Sequence, residues 1–64
     1  MNIEGVNYEI NWKKFKKGFS FFIPCNDAVI TRNNIAKITK RLKMSTTTKV
    51  VIEEGIKGLR VWRT

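Results

Sequence analysis

Apolar and polar residues alternate near the start of the chain. Positions 6, 8, 10 and 12 are apolar or aromatic, and positions 7, 9 and 11 are polar. This period of two predicts a half-buried β-strand near residues 5–10. Trp12 and Phe15 then stand three apart, between Asn11, a candidate helix N-cap, and Gly18, a candidate stop. One helical turn or a tight loop here would place both rings on one side and the lysines on the other.

A second strand is predicted over residues 19–23, in the stretch FSFFIP. The stretch is rich in strand-forming residues and ends at Pro24, which cannot continue a central β-ladder. Positions 19, 21 and 23 share one face of the strand, and Phe22 lies on the other face with Ser20. Aromatic residues on both faces indicate a strand that is central or covered on both sides.

The stretch TRNNIAKITKRLKM, residues 31–44, predicts an amphipathic helix. Ile35, Ile38 and Leu42 stand at i, i+3 and i+7, and positions 28 and 31 extend this stripe towards the N-terminus. Basic residues occupy the opposite side. Thr31 is a candidate N-cap, although Asp27 could begin the helix one turn earlier.

The C-terminal stretch TTTKVVIEEGIKGLRVWRT predicts a β-hairpin that turns at Glu54-Gly55, where glycine supplies positive φ. A two-residue turn pairs Val50 with Leu59, Ile52 with Lys57 and Thr48 with Val61, and it sets Lys49 beside Arg60 and Thr47 beside Trp62 on the other face. A change of one residue in loop length would regroup these faces, so their assignment stays open at this point.

These elements give the order β-(turn)-β-α-β-β and predict an α+β fold, with one helix packed on one face of a small antiparallel sheet. A chain of 64 residues is expected to form a single small basic domain, 1–64. Cys25 is the only cysteine and there is no histidine, so neither an internal disulfide nor a zinc site is expected. We expect no metal and no cofactor.

The N-terminus carries no basic region followed by an apolar run, and unbroken apolar stretches are far shorter than a membrane span. A lone cysteine is typical of a reducing compartment. We therefore expect a cytoplasmic protein that binds no membrane. The alternative, in which the aromatic and lysine-rich stretch lies on an anionic bilayer, conflicts with its strand-like pattern.

The charge of the chain indicates the class of partner more than its composition does. The net charge is +8, from 13 basic and 5 acidic residues, and the signs are segregated. Residues 12–18 carry four lysines, and residues 32–43 carry five basic residues and no acidic one. Segregated positive charge attracts polyanions at long range, so nucleic acid is the expected partner.

The candidate nucleic-acid-binding residues come from three segments. Loop lysines would neutralise phosphates, helix cations would extend the track, and the C-terminal residues would add stacking and guanidinium contacts. They are Lys13, Lys14, Lys16, Lys17, Lys37, Lys40, Arg41, Lys43, Arg60, Trp62 and Arg63.

Each segment also has a plainer interpretation. A lysine run is commonly a solvated surface, helix cations are commonly the polar side of an amphipathic helix, and Trp62 could cap the core while its neighbouring arginines bond the chain end. The helix nevertheless holds no acid between Arg32 and Lys43, and like charges at i, i+3 and i+4 are mildly destabilising. An anionic partner would offset that cost.

Catalytic chemistry has little support. Cys25 has no histidine to act as its base and is expected to be a buried small apolar residue. Glu53 and Glu54 are adjacent in the predicted turn, so they point to opposite faces instead of converging as an acid–base pair. We expect a protein that is not an enzyme.

Two short motifs carry a resemblance to a known group. Gly18, Ser20, Phe21, Phe22 and Pro24 form a Gly-x-Ser-Phe-Phe-x-Pro strand, and the chain ends with Gly58, Arg60, Val61, Trp62 and Arg63. Over most of residues 12–63 the chain resembles short basic proteins of tailed-phage genomes, which implies a phage origin and the cytoplasm of an infected bacterium. The element order is also similar to that of small phage inhibitors of host RNA polymerase, in layout alone.

The leading hypothesis is a non-enzymatic nucleic-acid-binding module with weak sequence preference, because no helix-turn-helix, zinc or RNP pattern is present. The alternative is a phage regulator or inhibitor that binds an acidic surface of a host protein such as RNA polymerase. Trp12 and Trp62 would then anchor the interface and the lysines would steer association. A free edge strand in so small a sheet could also pair two copies into a homodimer.

Overall fold

The computed structural model describes all 64 residues and has the predicted mixed α+β composition. The elements in chain order are β1 (Asn2–Ile3), β2 (Val6–Asn7), a 3-10 turn (Trp12–Lys14), β3 (Ser20–Pro24), α1 (Ala28–Arg41), β4 (Thr46–Glu53) and β5 (Ile56–Arg63). β1 and β2 form a two-stranded antiparallel sheet of their own. The other three strands form an antiparallel sheet in the order β3-β5-β4, so the C-terminal strand is central.

The prediction of one strand near residues 5–10 is wrong. Glu4 and Gly5 have φ angles of 51° and 83°, and they turn the chain so that Ile3 pairs with Val6. The alternation of apolar and polar residues over positions 6–12 therefore continues past the end of β2, which has only two residues. Asn11 also makes no capping hydrogen bond with its side chain, contrary to expectation.

The turn after residue 11 does separate the aromatic residues from the lysines. Phe15 is buried, Trp12 is half-buried, and the lysines between and beyond them are exposed. The rings of Trp12 and Phe15 both meet Phe21 edge to face, with centroids 5.9 and 4.9 Å from it. Gly18 follows with a φ of 87°. This turn thus fastens the lysine-bearing loop to the start of β3.

β3 is an edge strand, not the central or doubly covered strand that its aromatic residues suggested. Phe21 and Ile23 share one face as predicted, and this face packs on the core, with Ile23 almost wholly buried. Phe19, predicted on the same face, lies before the strand and is exposed. Phe22, on the other face, is only half-buried because no element of the chain lies over it.

The helix begins at the earlier of the two predicted positions. The Asp27 carboxylate accepts hydrogen bonds from the backbone N–H groups of Val29 and Ile30, at 3.1 and 3.2 Å. Thr31 lies inside the helix, where its hydroxyl donates to the Asp27 carbonyl at 3.1 Å. The buried face of the helix runs through residues 31, 35 and 39. Leu42, predicted to continue the apolar stripe, lies beyond the last helical residue and is exposed.

The C-terminal hairpin has the predicted register. Val50 pairs with Leu59, and the other predicted pairs follow, including Lys49 with Arg60 and Thr47 with Trp62. Glu54 and Gly55 have φ angles of 52° and 79°, which is the double positive φ of a type I′ turn.

The core lies on one side of the three-stranded sheet only. Helix α1, the β1–β2 hairpin and the turn that carries Trp12 and Phe15 pack on that side. They contact the sheet residues Ile23, Leu59 and Val61. Cys25 belongs to this core and is a free, buried thiol, as predicted. No helix of the protein has the length and apolar character that spanning a membrane requires.

Candidate nucleic-acid interface

Chain connectivity brings the basic segments to one end of the molecule. β3 and β4 both run antiparallel to β5, so both begin where β5 ends. Helix α1 leaves the far end of β3 and returns to the start of β4. The loop before β3, the C-terminal turn of α1 and the last residues of β5 are therefore neighbours.

Backbone hydrogen bonds fasten these segments together. The Gly18 N–H donates to the Arg63 carbonyl at 3.1 Å, and the Arg63 N–H donates to the Phe19 carbonyl at 2.9 Å. The Thr64 N–H donates to the Ser45 carbonyl at 3.0 Å. We call the cations gathered here the basic end; they are Lys13, Lys14, Lys16, Lys17, Lys40, Arg41, Lys43 and Arg63.

The acidic residues gather at the opposite end, where β3 finishes, α1 begins and the β4–β5 turn lies. Asp27, Glu53 and Glu54 lie in these segments, and Glu4, from the turn between β1 and β2, is hydrogen-bonded to them, so four of the five acidic residues are at this end. The Glu4 carboxylate accepts from the backbone N–H groups of Asn26 and Asp27 at 2.7 and 2.8 Å. The molecule is therefore electrically polar along its strands, with its positive charge at one end.

The cations of the basic end have no carboxylate partner. Arg60 with Glu53 is the one ion pair in the protein, although the chain has 13 lysines and arginines. All seven lysine and arginine side chains of the basic end other than Arg63 belong to exposed residues. Unpaired, exposed cations of this kind are available to an anion without first breaking an internal contact.

Two of the predicted cations, Lys37 and Arg60, lie outside the basic end. Lys37 is exposed on α1, one turn back from the basic end. Arg60 lies in the middle of the sheet, where Nη1 donates to both Glu53 carboxylate oxygens at 3.1 Å and Nη2 donates to the Ser20 hydroxyl at 2.8 Å. Because Glu53 already neutralises it, Arg60 is not a free phosphate ligand.

Arg63 bonds the chain end, as the plainer interpretation of the C-terminal segment predicts. Its Nη1 donates to the carbonyls of Ser45 and Thr64, at 3.3 and 3.4 Å, so this arginine holds the chain end. Its Nε is buried and has no hydrogen-bond partner within the chain. The register places Arg63 on the helix side of β5, on the opposite face from Trp62.

The two indoles have different surroundings. Trp12 packs on the core and forms edge-to-face contacts with Phe15 and Phe21, so it is a core aromatic residue and not an exposed anchor. Trp62 is half-buried on the face of the sheet that no helix covers. Trp62 is therefore the indole of the uncovered sheet face, while Trp12 meets solvent in a groove on the helix side.

We call this uncovered side of the sheet the open face. Its three rows, read from β3 through β5 to β4, are Ser20, Trp62 and Thr47, then Phe22, Arg60 and Lys49, then Pro24, Gly58 and Val51, with Glu53 and Ile56 beyond them. Phe22 and Lys49 were not among the predicted site residues. The period of two places each on this face, but only the pairing of β3 with β5 brings Phe22 next to Arg60.

The largest groove lies on the helix side of the molecule. It has a volume of about 360 Å³ and is lined by Met1, Tyr8, Glu9, Ile10, Trp12 and Ile38. Glu9 is the one charged side chain of its lining and lies with the N-terminal ammonium of Met1, so the groove offers phosphate no net positive charge. The groove is therefore a poor site for nucleic acid, and the basic end and the open face remain the candidate surfaces.

Comparisons with protein-family models, curated proteins and solved structures find no match to this chain.

Proposed function

We propose that the protein is a non-enzymatic nucleic-acid-binding module whose basic end contacts phosphates. The single observation that carries this proposal is the gathering of eight cations at one end, while four of the five acidic residues lie at the other. A polyanion would lower the free energy of that arrangement, because its negative charge would neutralise cations that no carboxylate of the chain pairs with. The likeness to short basic phage proteins would place this activity in an infected bacterium.

Weak sequence preference is part of the proposal. The basic end is built from a loop, a helix C-terminus and a strand end, and it presents no helix N-terminus or recognition helix to a groove. Phosphate contacts position a protein on nucleic acid without reading bases. Affinity should accordingly depend far more on salt than on sequence.

A salt titration tests the phosphate contacts. If about five phosphates are neutralised, the logarithm of affinity should fall with the logarithm of salt at a slope near −4.5 on duplex DNA and near −3.5 on a single strand. Fluorescence anisotropy with labelled oligonucleotides at several salt concentrations measures this slope. Binding no tighter than that of a scrambled basic peptide would contradict the proposal.

A matched pair of variants locates the contacts. The double variant Lys16→Gln with Lys17→Gln removes two cations from the basic end. The salt dependence should become shallower, with the magnitude of the slope reduced by about 1.4 on a single strand or about 1.8 on duplex. Arg32→Gln with Lys57→Gln removes the same charge from exposed residues away from the basic end. This control should change the slope much less, so equal losses in both variants would mean that net charge alone drives binding.

Association with an acidic surface of a host protein, such as RNA polymerase, is the competing outcome. Tagged protein would be used to capture partners from bacterial lysate with and without nuclease treatment. Recovery of nucleic acid, lost on digestion, supports the proposal. Retention of one stoichiometric protein after digestion would replace it.

A further inference from the structure

We propose that the ligand is single-stranded nucleic acid, with its bases stacked on Trp62 and Phe22 of the open face and its phosphates at the basic end. This inference rests on the proposed function and adds the strand state and the base-binding surface. It commits one occupant to a sheet face that the rest of the chain leaves uncovered.

Two aromatic side chains offer stacking surfaces on this face. Trp62 on β5 pairs with Ser20, and Phe22 on β3 pairs with Arg60, so the two residues are diagonal neighbours on adjacent strands, a relation in which the backbones lie about 7–8 Å apart. The ring of Phe22 lies over Gly58, on the side away from Trp62, so the two rings are further apart than their backbones. Each ring can therefore stack on a separate base of one strand.

Gly58 leaves room for the ring of Phe22 on the sheet surface. The ring occupies the space over Gly58, where an added Cβ would lie 2.6 Å from the ring carbon Cζ. The ring thus fills the gap left by a residue without a side chain and lies across the sheet surface. Both Phe22 and Trp62 remain half-buried with no element above them.

The charge across the face separates bases from phosphates. At its centre the Arg60 guanidinium is neutralised by Glu53 and also bonded to Ser20, so phosphates gain little there, and Lys49 in the same row is the exposed, unpaired cation of the face. Trp62 pairs with Ser20, three residues after Lys17 at the end of the lysine-bearing loop. Bases are favoured over the two rings, and phosphates at Lys49 and at the basic end.

These features favour a single strand over a duplex. A duplex encloses the flat faces of its bases and presents phosphates along both edges, so stacking on Trp62 or Phe22 would be lost. A single strand exposes every base face, and aromatic stacking of this kind tolerates all four bases. The inference therefore agrees with weak sequence preference.

Tryptophan fluorescence tests the stacking directly. The variant Trp12→Phe leaves Trp62 as the only indole and keeps an aromatic ring in the core contact with Phe15 and Phe21. Titration with a 12-nucleotide oligothymidine should quench this fluorescence, and a 12-base-pair duplex should quench it far less. Circular dichroism and urea unfolding verify that the variant is folded.

Substitutions on the open face supply the affinity test. Trp62→Leu and Phe22→Leu keep an apolar side chain and remove the aromatic surface, and each should weaken oligothymidine binding at least about five-fold. Thr47→Ala, in the same row as Trp62, is the matched control and should change affinity less than two-fold. Duplex binding should be altered little by any of the three.

The outcomes separate this inference from the proposed function. Salt-dependent binding of duplex and single strand with equal affinity, without quenching of Trp62, would overturn the inference and leave the phosphate contacts standing. Absence of binding to either would overturn both. Sedimentation equilibrium adds a further check, because a dimer that covers the open face and shields Trp62 would also overturn the inference.

Discussion

Gly58 is the residue at which packing allows the fewest alternatives. It is buried in the central strand, and a Cβ there would overlap the carbonyl oxygen of Ile23 and the ring of Phe22. The ring can rotate away, but the carbonyl belongs to the neighbouring strand and cannot move without disturbing the ladder. Glycine at this position therefore serves close approach between β5 and β3.

We expect Gly58→Ala to lower the free energy of unfolding by about 1–3 kcal/mol, the usual cost of overpacking. Urea unfolding followed by circular dichroism measures the change. Adding Phe22→Ala should remove only the part of the clash that the ring causes. If the double variant were as stable as Phe22→Ala alone, the Ile23 carbonyl would not be the obstacle.

The ion pair of Glu53 with Arg60 neutralises the centre of the open face and adds little stability. Their side chains keep 39% and 30% of their accessible surface, and exposed ion pairs contribute about 1 kcal/mol or less. Glu53→Gln should therefore cost little stability while it leaves Arg60 positive at the centre of the open face. Anionic oligonucleotides should then bind more tightly.

Glu54→Gln is the matched control for that prediction, because it makes the same change in net charge at an exposed turn residue. Anisotropy titrations at one fixed salt concentration compare the two variants. Equal gains in affinity would show that the overall charge, and not the freed Arg60, is responsible.

At the scale of elements, the start of the helix depends on one capping side chain. Asp27 satisfies two of the free N–H groups of the first turn. Asp27→Ala should lower the free energy of unfolding by about 0.5–2 kcal/mol, and Asp27→Asn, which can still cap, should lose much less. Urea unfolding of both variants checks this, and equal losses would show that capping is not the cause.

Elements governed by local signals were predictable from the sequence. Glu54 and Gly55 form a two-residue turn, which pairs Glu53 with Ile56. Every other cross-strand pair of the hairpin, including Val50 with Leu59, follows from that register. The same dipeptide occurs at Glu4-Gly5 and makes the same kind of turn. The strand prediction at residues 5–10 is wrong because this turn closes a short hairpin that ends at Asn7, although apolar residues continue to alternate beyond it.

The order of the strands was not predictable in the same way. The contact of Arg60 with Ser20 joins residues 40 positions apart, and no local pattern specifies it. The open face therefore could not be assembled from the sequence, although the facing of Phe22 and of Lys49 could. The eleven candidate residues are ten cations and one tryptophan that lies between two of them in the C-terminal segment, so they include Arg60 and omit Phe22.

At the scale of the whole molecule, the topology determines where the charge lies. Basic residues precede β3, end α1 and end β5, and these three points meet at one end of an antiparallel sheet with a returning helix. The chain is small, with principal extents of 30, 22 and 18 Å. Eight cations within one end of such a molecule repel one another at distances comparable to the Debye length.

This repulsion predicts how stability depends on salt. Raising NaCl from about 10 to 200 mM shortens the Debye length from about 30 Å to less than 10 Å, so the free energy of unfolding should rise. Urea midpoints at both concentrations measure the increase. The variant Lys16→Gln with Lys17→Gln should be more stable than the parent protein at low salt, and the difference should shrink at high salt.

The control for this prediction is Arg32→Gln with Lys57→Gln, which removes the same charge outside the basic end. Its gain at low salt should be smaller, because Lys57 lies beside the acidic β4–β5 turn and because Arg32→Gln also removes the hydrogen bond from Arg32 Nε to the Thr48 hydroxyl. A short polyphosphate should stabilise the parent protein more than chloride does at the same ionic strength, since it binds where the cations are concentrated. Equal stabilisation by both salts would mean that the basic end acts only through general screening and holds no anion.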